Sequence, residues 1–290
     1  DSEIKAKSFS AEHLTKYCTN LNHYFLSNPS YKITGRDLET DQLIEILSKK
    51  NKSNAVLIGD AGVGKTAVVE GLAQKIIKQD VPHHMSLMQI CTVDISAMVA
   101  GTKYRGEFEK RFKGLIREAE KEPYIVLFFD EIHTLIGAGN SEGAVDASNM
   151  LKPALARGKI KCIGATTSEE YKKFFEKNSA MKRRFEEIII EEPSVEQTKQ
   201  IVLNALPYYE DFHRVKFQEA DIDLILHFCQ NYLSNKKFPD KAFDVIDQIG
   251  AKTKIKYKTA STKVEKLRDK FAKMMVKAEK EDFDEELFTN

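Results

Sequence analysis

The sequence predicts an α/β fold: a mostly parallel sheet flanked by helices, then a small all-helical domain and the start of a helical extension. Three observations carry this expectation. Between residues 55 and 190, apolar runs of strand length alternate with stripes of helical spacing. A glycine-rich stretch ending in Gly64-Lys65-Thr66 stands between the first apolar run and the helix after it. Beyond Glu192-Pro193-Ser194 the strand signal disappears.

In chain order, residues 1–30 mix polar and aromatic types and end in Ser27-Asn28-Pro29-Ser30, which reads as a linker with one short helix. A large domain is expected over 31–192. Ile33-Thr34-Gly35-Arg36-Asp37 turns the chain into a helix whose apolar face is Leu38, Leu43, Ile46 and Leu47. The first strand covers 55–58, and the helix over 65–79 lines up Val68, Val69, Leu72, Ile76 and Ile77. A strand at 88–93 leads through a loop to a helix at 107–120, striped by Phe108, Phe112, Leu115 and Ile116. The strand at 125–129 is apolar throughout, as expected where both faces are covered. A helix at 150–156, a strand at 160–163, a short helix at 171–175 and a last strand at 188–190 complete the domain.

Helices at 195–206, 221–233 and 240–249 form the small domain, 193–260, with Pro207 and Pro239 at helix boundaries. Within the tail, 261–290, Val264, Leu267, Phe271, Met274 and Ala278 recur at intervals of three and four. That spacing suits one arm of a coiled coil or helical hairpin, and equally a single solvent-facing helix.

The 45 Lys and Arg against 44 Asp and Glu give a net charge of +1, which supplies no overall field for nucleic acid or an anionic membrane. Any polyanion site must be local. Cys18, Cys91, Cys162 and Cys229 are widely separated and show no metal-ligand spacing, which favours reduced thiols and an intracellular setting. No apolar stretch approaches the ~20 residues that span a bilayer, and the charged start is unlike a secretory leader. The expectation is a soluble protein without a membrane partner. Lysine- and asparagine-rich stretches such as 48–52 suggest an AT-rich genome, either a bacterial cytoplasm or a plastid-type organelle.

The candidate chemistry falls at five places. Gly59, Asp60, Ala61, Gly62, Val63 and Gly64 form a loop whose glycines let backbone N–H groups face phosphate oxygens, and the following helix adds its positive end at Lys65, Thr66 and Ala67. Lys65 then places a cation between the β- and γ-phosphates of ATP, and the Thr66 hydroxyl ligates Mg2+. Asp130 ends a buried strand, where it would hold Mg2+ through water. Adjacent Glu131, turned elsewhere by strand alternation, would polarise the attacking water. Thr166 and Thr167 end another strand; each is a water-orienting hydroxyl or a turn threonine. Arg183 and Arg184 read from composition as surface cations. Lys103-Tyr104-Arg105-Gly106 is an exposed aromatic flanked by cations, as compatible with base stacking as with a plain loop.

These motifs occur together with Ile33-Thr34-Gly35-Arg36, Asp130-Glu131-Ile132-His133, Ile163-Gly164-Ala165-Thr166-Thr167, Arg183-Arg184-Phe185 and Pro239-Asp240-Lys241-Ala242, all in order. The sequence resembles the first ATPase module of the Clp/heat-shock unfoldases, a branch of the AAA+ ATPases, over about residues 31–258. The resemblance implies a P-loop AAA+ module with a helical lid, working as a homohexamer that threads unfolded polypeptide through its central channel. It implies that Ile33 and Thr34 pack around adenine, that Thr167 is the first sensor, and that Arg183 and Arg184 reach the neighbour's γ-phosphate. It also puts Lys103, Tyr104 and Arg105 on a channel loop that grips substrate, with residues 137–144 as a second loop. The implied work is for a Clp-type protease or for disaggregation, with a Clp peptidase and adaptor proteins as the further partners. The tail from Val264 is most similar to the adaptor-dependent subtype. One departure is Asp60-Ala61, where the family usually has Glu-Pro or Glu-Ser. The alternatives are a nucleic-acid remodeller of the same fold, which the charge balance disfavours, and an assembly module that binds ATP without turnover.

Overall fold

The inner strands of the sheet carry apolar side chains on both faces, so each contributes to two layers. A computed structural model describes residues 11–29, 32–102, 105–137 and 147–256, together with 267, 270 and 271. In chain order the elements are α1 (Glu12–Tyr17), β1 (Cys18–Asn20), α2 (Leu21–Ser27), α3 (Asp37–Ser48), β2 (Asn54–Ile58), α4 (Lys65–Ile77), β3 (Gln89–Val93), α5 (Ile95–Val99), α6 (Arg105–Ala119), β4 (Ile125–Phe129) and α7 (His133–Gly137). They continue with α8 (Ser148–Ala156), β5 (Lys161–Thr166), α9 (Ser168–Glu170), which runs into a π-helical turn at Tyr171–Phe175, α10 (Ser179–Lys182), β6 (Phe185–Ile189), α11 (Val195–His213), α12 (Glu219–Tyr232) and α13, residues 240–256.

Six strands form one sheet in the order β1-β3-β4-β5-β2-β6. All pairings are parallel except β1 with β3, where Cys18 faces Val93 and Asn20 faces Cys91. Alternation assigns the side chains. Val56, Ile58, Leu127, Phe129 and Cys162 join Phe108, Phe112 and Leu115 of α6 in one cluster. Ala55, Leu57, Val126, Phe128 and Ile163 join Leu43, Leu47, Val68 and Leu72 of α3 and α4 in the other. Phe112, Phe128 and Phe129 are fully buried, and truncating any one to alanine costs about 3–5 kcal/mol. A third cluster holds the C-terminal unit together: Val202 and Leu206 of α11, Ile222, Ile225 and Leu226 of α12, and Phe238, Ala242 and Ile246.

Two expectations need correction. The segment read as a linker carries two helices and an edge strand, and it belongs to the core through buried Leu14, Tyr17, Leu21 and Phe25. Glu118 of α6 fixes it, accepting the backbone N–H of His13 (2.8 Å) and Leu14 (2.9 Å) and meeting His13 Nδ1 at 2.7 Å. Elements of 3 to 7 residues are too short to display a period, and these lean on contacts about a hundred positions away. Pro207 does not end a helix either. It lies inside α11, whose apolar stripe packs from Ile201 past it to buried His213, and that packing outweighs one missing N–H. Among the described residues, no helix is long and apolar enough to cross a membrane.

Candidate functional site

The first buried strand, β2, delivers the chain into a loop that cannot be built from ordinary residues throughout. Gly62 and Gly64 have φ of +82° and +98°, the left-handed region where a Cβ is strained. A Cβ on Gly62 would also lie 2.9 Å from Asp240 Cβ. Gly64 is the N-cap of α4, so the loop ends on the unpaired amides of that helix. The loop is held from both sides of its strand: Gly59 N–H donates to Thr166 O (3.2 Å) and Ile190 N–H to Ile58 O (2.7 Å).

Arg36 holds the loop from behind. Its guanidinium is 7% exposed; Nη2 donates to Val63 O (2.6 Å) and Glu191 O (2.8 Å), and Nη1 donates to Glu39 Oε1 (2.6 Å). Its Nε is buried without a hydrogen-bond partner among the described residues. The sequence reading placed Arg36 only within a motif around adenine. Its contact with a loop carbonyl 27 positions away has no local signal.

A cleft of about 430 Å³ opens over the loop, lined by Ala61, Gly62, Gly64, Lys65, Thr66 and Ala67 on one side. Asp130, Glu131, Thr166, Thr167 and Glu170 line the other, and Pro239, Asp240 and Phe243 close it from the C-terminal unit. Thr66 Oγ1 lies 3.5 Å from Asp130 Oδ2. Lys65 Nζ donates to the carbonyls of Gly59 (2.9 Å) and Asp60 (2.8 Å), so the cation is folded onto its own loop. Burial lowers the Lys65 pKa, and the carboxylates of Asp130, Asp60, Glu170 and Glu131 oppose that shift.

Glu131 has φ of 50°, uncommon for a residue with a side chain, and its N–H donates to Asp130 Oδ1 (3.0 Å). Strand alternation is therefore not what turns it. β4 ends at Phe129, and the left-handed turn sends Ile132 back across the sheet, where its N–H donates to Ala165 O (2.9 Å) and its side chain covers Gly164. The turn leaves two adjacent carboxylates at one strand tip facing the loop.

The structure separates other expected residues from the cleft. Ile33 N–H donates to Gln74 Oε1 (3.3 Å) of α4, and Thr34 Oγ1 accepts from Asn204 of α11 (3.2 Å). Neither residue lines the cleft. Arg183 is exposed at the end of α10, and Arg184 donates through Nη1 to Ala180 O; both lie off the cleft within the chain. Lys103 and Tyr104 lie outside the described residues, as do 138–144, while Arg105 begins α6. Among the described residues no cluster of three or more His, Cys, Asp or Glu could hold a metal. One hydroxyl and one carboxylate beside a phosphate loop suit Mg2+, which keeps several waters and takes ligands from its nucleotide.

Residues 55–192 match the sequence family described as the ATPase family associated with various cellular activities (AAA), and residues 194–289 match the AAA lid domain. The chain is 46% identical over 243 residues to the chaperone protein ClpB of Aquifex aeolicus, taking in 84% of this chain and 24% of that protein. The chain belongs to the Clp/Hsp100-type AAA+ ATPases. It corresponds to their first ATPase module, a P-loop sheet domain with a separate helical lid. It is also 45% identical over 249 residues to the ATP-dependent Clp protease ATP-binding subunit ClpC of Staphylococcus epidermidis, covering 86% of this chain and 30% of that one. A solved structure of Hsp104 with ATPγS and FITC casein in a closed state superposes with a TM-score of 0.78 at 40% identity, covering 86% of this chain and 42% of that one. The chain thus spans about a quarter to a third of the length of these two curated relatives.

Sequence reasoning missed the part the lid plays in this AAA+ module. Lys237 Nζ sits 3.0 Å from Glu192 Oε2 and 3.6 Å from Asp60 Oδ2, and Asp240 N–H reaches Gly62 O at 3.4 Å. Lid and loop are therefore in direct polar contact. Glu170 escaped the reading, and His133 was named only as part of the Asp130-Glu131-Ile132-His133 motif, without a role. The histidine follows the acidic pair by two positions, which was the one available signal.

Proposed function

We propose that this chain is the ATP-hydrolysing motor module of a protein unfoldase, coupling turnover to movement of polypeptide through a homohexameric ring. One observation carries the ATPase half: the phosphate loop and the Asp130-Glu131 strand tip face each other across one cleft, with Thr66 and Asp130 3.5 Å apart. In this reading the loop amides and Lys65 bind the β- and γ-phosphates, and Lys65 exchanges its two loop carbonyls for them. Thr66 and Asp130 would hold Mg2+, which neutralises charge on the phosphates. Glu131 accepts the proton of the attacking water, and Thr167 orients that water or the terminal phosphate. Gly59, Asp60, Ala61, Gly62, Val63, Gly64 and Ala67 form the cradle, and Ile33 and Thr34, hydrogen-bonded to α4 and α11 respectively, flank the base.

Arg183 and Arg184 serve the neighbour's site, in keeping with their distance from the cleft of their own chain. Positive charge delivered across a subunit boundary ties hydrolysis to the ring. The relatives extend this to substrate. The Hsp104 structure carries casein, and one curated relative is a Clp protease subunit. On this basis Lys103, Tyr104 and Arg105 contact unfolded polypeptide, and a Clp peptidase with adaptors is a candidate partner.

Paired variants of the full-length hexamer test the reading. Glu131→Gln should keep nucleotide affinity and lose about 10²–10⁴-fold in turnover at this site. Tyr104→Ala should keep hydrolysis and lose unfolding of a tagged fluorescent substrate. Normal unfolding by the Tyr104 variant would remove the channel role, and normal turnover by the Glu131 variant would remove the general base.

A further inference from the structure

Thr167 and Glu170 line the cleft together, but the hydroxyl is already engaged. Thr167 Oγ1 donates to Glu170 Oε2 at 2.7 Å and accepts the Glu170 N–H at 3.3 Å. A hydroxyl has one proton. In this arrangement Thr167 can accept a hydrogen bond from water but has nothing left to donate to a phosphate oxygen. The acceptor is a strong one. The same carboxylate oxygen takes the Thr167 N–H (3.2 Å), lies 3.4 Å from Thr166 Oγ1, and meets His133 Nδ1 at 3.0 Å. Burial opposes ionisation of Glu170, yet the Thr167 hydroxyl and amide and the charge of His133 hold its carboxyl below the usual range. His133 is itself held, with its ring stacked on Phe174 at 6.0 Å. His133 and the Thr167 N–H therefore remain as partners of the Glu170 carboxylate when the Thr167 hydroxyl turns away.

We propose that Glu170 is a positioning residue that competes with the terminal phosphate of ATP for the single proton of Thr167, and so sets how strongly the module prefers ATP over ADP. The proposal rests on the reading of the cleft as an ATP site. A γ-phosphate oxygen can take the Thr167 proton only by displacing a charge-assisted bond, whereas ADP leaves that bond intact. Binding of ATP opens the Thr167–Glu170 contact, and departure of phosphate closes it. Through Glu170, Thr167 at the tip of β5 is joined to His133, which stands two positions after Glu131 in the chain.

Titration of the full-length protein with Mg-ADP and Mg-AMP-PNP reads this directly as the ratio of the two dissociation constants. Glu170→Ala should shift the ratio about tenfold toward AMP-PNP, the scale of one charge-assisted hydrogen bond. Thr167→Ser should match the wild type. With Thr167→Val, adding Glu170→Ala should leave the ratio where Thr167→Val alone puts it. An equal shift in the valine background would mean that removed charge, not the hydroxyl proton, is responsible, and would overturn the proposal. An unchanged ratio in Glu170→Ala would do the same. If the valine variant fails to fold, Glu170→Gln decides. A glutamine oxygen still accepts from Thr167, so its shift should be smaller than that of alanine, and equal shifts would refute the mechanism. Failure of the wild type to bind either nucleotide would instead remove the ATP reading itself.

Discussion

Replacing Arg36 by methionine keeps most of the side chain's bulk and deletes the guanidinium that holds the phosphate loop. Two carbonyls, of Val63 and Glu191, then lose donors that stand at 2.6 and 2.8 Å. An unsatisfied buried acceptor costs about 1–3 kcal/mol, so the pair amounts to about 2–6 kcal/mol at most, the Glu191 contact being only part-buried. Part of this is offset, because Arg36 Nε already lacks a partner and its removal relieves one buried donor. The Glu39 carboxylate, about one-fifth exposed, can turn to water. The net loss is about 1–4 kcal/mol, which lowers Tm by roughly 3–12 °C in a domain of this size. Function should change in a particular way. A loosened Val63 carbonyl disorders the amides after it, and these would serve ADP and ATP alike, so both affinities should weaken by a similar factor, about tenfold. Thermal unfolding with and without nucleotide, alongside titration with each, measures both effects. A variant with wild-type Tm and wild-type affinities would show that the clamp contributes nothing and that the buried contacts have been misjudged.

Two further outcomes concern partly buried titratable groups. Burial pushes the Glu70 carboxyl up from 4.5 to about 7. The folded state then holds this proton more tightly than the unfolded chain, so its contribution to stability is full below pH 4.5 and is lost as the pH rises through about 7. Glu70→Gln should flatten that slope in urea unfolding and raise stability at neutral pH by about 1–3 kcal/mol; an unaltered pH profile would contradict the burial argument. Burial, with a smaller effect of Glu118, pushes the Cys18 thiol up to about 12, so its alkylation at pH 8 should track global unfolding. Labelling of the native protein at the rate of a free thiol would show that the N-terminal strap opens on its own.

Much of the large domain could be read from the sequence because the deciding interactions are local or periodic. The strand at 125–129 announces itself by five consecutive apolar residues, and the loop after β2 by glycines at positions whose backbone only glycine adopts easily. Strong local chemistry also fixed the Thr66 and Asp130 pairing, since parallel strands present their C-terminal ends at one edge of the sheet. The N-terminal strap, the course of α11 through Pro207 and the lid's contact with Asp60 were not legible. Two depend on a partner far along the chain, Glu118 for His13 and Lys237 for Asp60, and the third on burial of the α11 face on both sides of Pro207, which a proline in the sequence does not announce.

What the sequence by itself determined was the set of chemical groups and the class of sheet that presents them. Tertiary structure alone decided their orientation and state: Glu131 turned by a left-handed residue, Lys65 folded onto its own loop, and the Thr167 proton given to Glu170. The physical reason is that composition and period record which surfaces must be buried, whereas the direction of a hydrogen bond is set by whichever donors and acceptors burial brings within about 3 Å of one another.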